Sequence, residues 1–300
     1  MFAEGHGSRP APLHAVFDDW VRGGLKRDAH LGSIGGGNHF VEVQVVERVL
    51  DARTAYAWGV RPGAVCVMVH SGSLGFGHAA AHVLRALAGP AGGHVGMAVP
   101  LADAALAHEA RTVIANAANF AFVNRALLTL QALDALRRVT GDFSARAVYD
   151  APHNLTWGAL HRKGATPARG PGDAALLGTP FEHVGEPVLV PGSMGDRSFL
   201  LVGRGCGSSL HSAAHGAGRA LARGRAMRDA GVAASLEGVR VVTPVNPRTT
   251  RADVWARKRQ ELAQEAPAAY KAIAATVDTL ERAGMALPVA ALRPLLTVKG

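Results

Sequence analysis

Several histidines stand beside residues that handle phosphate or metal ions. GGGNHF (Gly35–Phe40) sets Asn38 and His39 directly after a run of glycines. Glycines let backbone N–H groups approach an anion closely. Asn38 can hydrogen-bond a phosphate or a ribose, and His39 can ligate a metal; a plain turn ahead of a strand would use the same residues. HSGSLGFGH (His70–His78) places His70 where an apolar strand meets a polar loop, and YDAPHN (Tyr149–Asn154) repeats the arrangement with His153 and Asn154. One strand-end histidine is ordinarily structural. Separate strand ends each delivering one point to a histidine-rich site for a borderline divalent ion such as Zn, Mn or Fe.

The segment around SAAHGAGRALAR (Ser212–Arg223) joins a histidine to arginines. The spacing predicts a helix over 208–230, with His211, His215, Arg219 and Arg223 on one face. Gly216 and Gly218 would each cost such a helix about 1 kcal/mol relative to alanine, which implies close approach by a ligand or another backbone. Imidazole can attack phosphorus while guanidinium offsets the developing charge. A solvated basic face has the same periodicity. PGSMGDRS (Pro191–Ser198) offers backbone amides and hydroxyls for a base or a phosphate, or forms an ordinary hairpin. From Arg204 to Arg259 the basic residues greatly outnumber the acidic Asp229, Glu237 and Asp253, a bias that fits a nucleic-acid backbone. No Walker A motif is present, so a nucleoside triphosphate would not be held by a P-loop.

The elements that must position these residues follow from the pattern. Residues 28–46 run from a Gly-rich turn into an alternating strand, and 65–70 (VCVMVH) read as a buried strand. Residues 102–140 predict a long helix stopped at Gly141, and ARAVYDAPHN predicts a strand ending at His153. Residues 164–187 read as a Gly/Pro-rich loop, and 187–203 as two strands joined by a turn. GVRVVTP is a further strand, and 252–265 and 267–283 are two helices, the second begun by Pro267. Strands and helices mix without regular βαβ alternation, which predicts an α+β fold. No linker splits the chain, so one domain is expected over 1–300.

Composition bounds the function class. The chain has 300 residues, 48% of them hydrophobic and 18% charged, enough for a large core without staples. Its 32 basic and 23 acidic residues give +9, a balance that attracts nucleotides or nucleic acid, although a GC-rich genome that favours arginine and alanine produces it too. Two cysteines exclude a disulfide scaffold and a Cys₄ zinc module. Cys66 lies among apolar residues as a core position, and Cys206 has no assigned role. No apolar run approaching ~18 residues and no signal-peptide pattern are evident, so no membrane partner and a cytoplasmic location are expected.

Taken together and in order, GGGNHFVEVQ, HSGSLGFGH, His153–Asn154, HRKGA, PGSMGDRSF, HGAGR and the terminal LRPLLTVKG resemble the RtcB family of GTP-dependent RNA ligases (tRNA-splicing ligases). The resemblance runs from about Leu31 to Gly300 and leaves 1–27 as a poorly matched N-terminal stub. It implies a single α+β domain that joins an RNA 3′-phosphate or 2′,3′-cyclic phosphate end to a 5′-hydroxyl end, with GTP as co-substrate and two Mn²⁺ ions. His215 would be guanylylated, and His39, His70 and His153 would ligate the metals. Asn38, His39, Phe40, Val41, Glu42, His153, Asn154, Pro191, Gly192, Ser193, Met194, Ser198, His215, Gly216, Ala217, Gly218 and Lys299 match the nucleotide-holding positions. The family's aspartate and bridging cysteine ligands come from a more N-terminal motif without counterpart here, so the resemblance implies an N-terminally truncated chain. Leu74 stands where relatives commonly carry arginine. A truncated homologue that binds nucleotide or RNA without turnover, and a metal-dependent phosphohydrolase, are the alternatives.

Overall fold

Alternating apolar residues in FVEVQVVERV form strand β1 (Phe40–Val49), whose first residues are buried. A computed structural model describes residues 30–88 and 103–300, so the stub at 1–27 lies outside the described residues. β1 pairs antiparallel with β2 (Val65–His70) on one side and with β10 (Ala286–Val298) on the other. β7 (Ser198–Gly203) and β6 (Pro187–Val190) extend the sheet in the order β2-β1-β10-β7-β6, and the short β9 (Val241–Val242) adds to β10 in parallel. β10 contains Pro288 and Pro294, which cannot donate to a ladder. Both stand beside register shifts, where a missing N–H costs least.

Both faces of the sheet are covered. On one, Val188, Val190 and Leu201 meet Ile273, Val277 and Leu280 of a helix over Ile273–Arg282, whose i, i+4, i+7 spacing makes one apolar stripe. On the other, Val46, Leu200, Val202, Val289 and Leu292 pack with Trp58, just beyond helix α1 (Ala52–Ala57). The sheet lies in a compact unit comprising Gly36–His70, Phe143–Asn154 and Arg162–Gly300. A second unit comprises, among the described residues, 30–35, 71–88, 103–142 and 155–161. Its described core joins α2 (Leu74–Ala88) to α3 (Ala104–Thr140), with the Phe76 and Phe120 rings stacked 5.1 Å apart. Asp103 caps α3 at its start, and Gly141, at φ 82°, ends it as the sequence predicts. Asn124, fully buried, accepts from the Gly32 N–H and donates to Ser71 Oγ and to the carbonyls of Ser33 and Gly72.

The fold is the mixed α and β arrangement that the pattern predicts; some elements differ. Residues 208–230 are not one helix. They give a 3₁₀ turn at Gly207–Ser209, strand β8 (Ser212–Ala214), an irregular turn and short helices α4 (Arg223–Ala226) and α5 (Ala230–Ala234). Leu210, His211 and Gly218 have φ of 54°, 51° and 74°, which breaks any helical run. His211, His215, Arg219 and Arg223 therefore share no helix face. The strand expected to end at His153 is absent: residues 141–152 carry no ladder bonds, and a short β3 (Asn154–Trp157) begins after His153. β3 pairs with β4 (Leu160–Lys163), and β5 (Ala165–Pro167) pairs with β8. β2 is an edge strand rather than a buried one, with Val65 60% exposed.

Of the two helices expected near the C-terminus, α6 spans Ala252–Ala263; Pro267 opens a 3₁₀ turn, and α7 follows at Ile273–Arg282. Against the expectation of no apolar run approaching ~18 residues, α3 contains a stretch long and apolar enough to cross a membrane. Its buried residues include Thr112, Asn116, Asn124 and Arg125, polar groups that suit packing inside a folded unit.

Leu201 is fully buried in the centre of the sheet. Leu201→Ala should destabilise the protein by about 2–5 kcal/mol through lost burial and the cavity left behind. A lower urea midpoint with an unchanged slope checks this; an unchanged midpoint would remove β7 from the core.

Candidate functional site

Strand pairing brings the first two histidines together. His70 is the last residue of β2 and lies opposite Phe40, the first of β1, while His39 immediately precedes β1. The His39 and His70 rings are 5.6 Å apart, and Phe40 meets His70 edge-on at 5.4 Å. His153 enters from an irregular segment that side chains hold in place. Tyr149 donates to the fully buried Glu186, which also accepts from the N–H and guanidinium of Arg169. The His153 carbonyl then accepts from Ala165 N.

His215 follows β8. Its N–H donates to the carbonyl of Gly164, and the Gly164 N–H donates to Asn154 Oδ1 at 3.0 Å. Gly164 is left-handed (φ 67°), and a Cβ there would lie 3.6 Å from His215 Cε1. This one glycine in HRKGA therefore links the His153 and His215 segments. The two rings stack at 4.5 Å and 12°, and His70 stands edge-on to them at 5.0 Å and 5.9 Å.

His70, His153 and His215 each present a ligand atom, all within 4.8 Å of one another. Burial is the main force depressing the His70 pKa well below the ordinary histidine value, with the neighbouring histidines adding to it. Burial also lowers that of His215. These imidazoles are thus neutral at neutral pH, the form that coordinates a metal or attacks an electrophile. Nδ1 of His70 and of His215 are buried and lack a hydrogen-bond partner, which fits a group still to be coordinated. Among the described residues the metal-type trio includes His215, while His39 is its ring neighbour.

Polar positions surround the cluster. Lys299, almost fully buried, donates to the carbonyls of Gly37 (2.6 Å) and His39 (2.9 Å), using two of its three N–H donors. Burial lowers its pKa to about 8. Glu42 accepts from Thr297 Oγ1 and from Gln44 Nε2; Gln44 also donates to Ser198 Oγ, which accepts from Gly192 N. Gln44 and Thr297 are members that the sequence reading missed, although residues 42 and 44 alternate onto one face of β1. Buried Asn38 Oδ1 and Ser193 Oγ lack partners. Phe40 and Met194 are fully buried and Val41 nearly so. The Pro191 carbonyl lies 3.7 Å from where a Gly216 Cβ would be, so the PGSM and HGAG turns adjoin.

Arg219 departs from the phosphate-binding role expected of it. Its guanidinium is committed to Glu265, the Tyr270 hydroxyl and the carbonyls of Leu221 and Gln264. Arg223 is 61% exposed, meets Glu265 only through Nε at 3.5 Å, and has a terminal nitrogen near Gly37.

Fold and site together define an α+β protein with a half-buried imidazole cluster of metal-binding type. The family described as tRNA-splicing ligase RtcB matches residues 21–300. The chain is 35% identical over 299 residues to a tRNA-splicing ligase RtcB of Archaeoglobus fulgidus, covering 90% of this chain and 59% of the relative. It is 38% identical over 296 residues to an RNA-splicing ligase RtcB of Mycobacterium bovis, covering 90% and 65%. The Pyrococcus furiosus tRNA-splicing ligase RtcB is 35% identical over 297 residues, of which this chain spans 30%. The chain belongs to the tRNA-splicing ligase RtcB family, and it spans less than two thirds of the length of these relatives.

Co²⁺ titration followed by visible absorption should show His70→Ala and His153→Ala each weakening binding at least about tenfold, in line with losses measured around metal sites. His183→Ala, an 88% exposed control, should not change it. Equal affinity in all variants would mean the trio is not a metal site. Glu42 supplies a pH test. Burial raises its carboxyl pKa, so between the ordinary carboxylate value and the raised one the folded state holds more protons than the unfolded state. Stability contributed by this group is therefore lost as pH rises through the folded pKa. Glu42→Gln should unfold at a higher temperature than the native protein at pH 7.5, with the gap closing toward pH 4. A gap that widens in acid would contradict the assignment.

Proposed function

We propose that this protein is an RNA ligase that joins a 3′-phosphate or 2′,3′-cyclic phosphate end to a 5′-hydroxyl end, using GTP and Mn²⁺. The observation that carries the reading is the packing of half-buried, neutral His215 against His70 and His153, in a chain of the tRNA-splicing ligase RtcB family. His215 acts as the nucleophile. Its ring nitrogen forms a bond to the α-phosphorus of GTP, and the bond to the β-phosphate oxygen breaks with release of pyrophosphate. An oxygen of the RNA 3′-phosphate then takes the guanylyl group, breaking the phosphorus–nitrogen bond and restoring the imidazole. The 5′-hydroxyl attacks the activated 3′-phosphorus, loses its proton and expels GMP. A cyclic phosphate must first be opened by water.

His39, His70 and His153 are the residues to hold manganese, with the His215 ring adjacent. The bound ion would supply Lewis acidity to phosphate oxygens. Asn38, Glu42, Asn154, Ser193, Ser198, Lys299 and the backbone of Phe40–Val41, Pro191–Met194 and Gly216–Gly218 are proposed to hold the nucleotide. The unpartnered Asn38 and Ser193 oxygens support this. Lys299 keeps the Gly37–His39 turn in place through its two carbonyl contacts.

Incubation with α-³²P-GTP and Mn²⁺ should give an acid-labile protein adduct that is lost in His215→Ala and retained in Cys206→Ala. Folded, manganese-loaded protein that takes no label would overturn the ligase reading in favour of a nucleotide- or RNA-binding protein. Hydrolysis of RNA 3′-phosphate ends that survives His215→Ala would instead establish a phosphohydrolase.

A further inference from the structure

The turn that carries His215 is anchored at both ends. On the N-terminal side β8 pairs with β5, and His215 N–H bonds to Gly164. On the C-terminal side the Gly218 carbonyl accepts from Lys271 N at 3.0 Å, Ala220 N donates to the Ala269 carbonyl, and Arg219 forms an isolated antiparallel bridge with Tyr270. Between the anchors, His215–Ala217 has no regular secondary structure. Gly218, with φ 74°, turns the chain there.

The second anchor is built around one carboxylate. Glu265 is only 4% exposed. One of its oxygens accepts from Arg219 at 3.2 Å and from the Tyr270 hydroxyl, and the other from Arg223 at 3.5 Å. Arg219 also bonds Tyr270 Oη at 3.0 Å and lies over its ring at 4.9 Å. The planar guanidinium thereby joins the Gln264–Tyr270 segment to the residue next to Gly218, a geometry that lysine cannot reproduce. A buried carboxylate left without these donors would be strongly unfavourable, so the network is held as a unit.

We infer that Glu265 is a positioning residue for His215, acting through Arg219 and Tyr270 to fix the far end of the HGAG turn. It touches no reacting atom. The inference rests on the proposed nucleophilic role of His215 only for its kinetic readout; the structural readout is independent of that role.

The test compares native protein with Glu265→Ala, Glu265→Gln and Arg219→Lys. Histidine labelled with ¹³C at Cε1 is read by NMR, with the His215 signal assigned from His215→Gln. In Glu265→Ala the His215 signal should move and broaden or split while that of His183 stays in place. Glu265→Gln, which keeps one carbonyl acceptor, should restore part of the native position. In single-turnover labelling with GTP, the Glu265→Ala rate should fall at least about tenfold while half-saturation by GTP changes less than about threefold, the pattern of lost alignment rather than lost binding. A native His215 signal in folded Glu265→Ala would overturn the inference. So would displacement of every histidine signal in proportion to lost thermal stability. Should Glu265→Ala fail to fold, Arg219→Lys decides the matter by the same signal. If native protein takes no label, the ligase reading fails while the NMR comparison still judges the positioning role.

Discussion

Imidazole nitrogens from His70, His153 and His215 can lie within 4.8 Å of one another only while the rings are largely unprotonated. Charged rings at that separation would repel one another. Burial and mutual proximity both act to keep the proton off His70. This requirement explains much of the surrounding architecture. The half-buried rings sit where the end of β2 and well-packed turns meet. They must be held, because neutral rings have no charge attraction to gather them. Antiparallel registry delivers His70 beside His39, and the Gly164 peptide ties together the segments bearing His153 and His215.

Buried carboxylates do the holding where regular ladders are absent. Glu186 organises the irregular approach to His153 through Tyr149 and Arg169, and Glu265 organises the exit from His215. Each is matched by several donors, and removing one partner from such an arrangement typically costs about 3–5 kcal/mol. Glu42 differs in kind: only uncharged side chains satisfy it, and its pKa rises.

How legible this was in the sequence depended on the range of the interaction. Alternation fixed β1, and the Gly141 stop fixed the end of α3, because these signals act within a few residues. His70 was recognisable as a strand-end residue, whereas His153 follows no strand and His215 lies in a turn rather than on a helix. The i, i+4 spacing from His211 to Arg223 was misleading. Periodicity does not reveal that Leu210, His211 and Gly218 adopt left-handed backbone, and the apparent helix is a strand and a turn. Segment 141–153 was misread for a related reason: its extended chain is held by Tyr149 and Arg146 side chains rather than by a neighbouring strand. Arg219 looked like a phosphate ligand because its acceptors, Gln264 and Glu265, lie far along the chain. Nothing local to either segment announces that pairing.

The central seam of the sheet has a consequence for biogenesis. Val41 of β1 pairs with Val298 of β10, and Lys299 reaches back to the carbonyls of Gly37 and His39. Contacts this distant in sequence close slowly and late. During synthesis β1 emerges early and presents an open edge with no β10 to cover it, and such edges invite association with other chains. The Lys299 contacts to the Gly37–His39 turn therefore cannot form on a nascent chain until β10 has left the ribosome, so an intermediate lacking β10 would carry an unfinished sheet and an unsupported turn together.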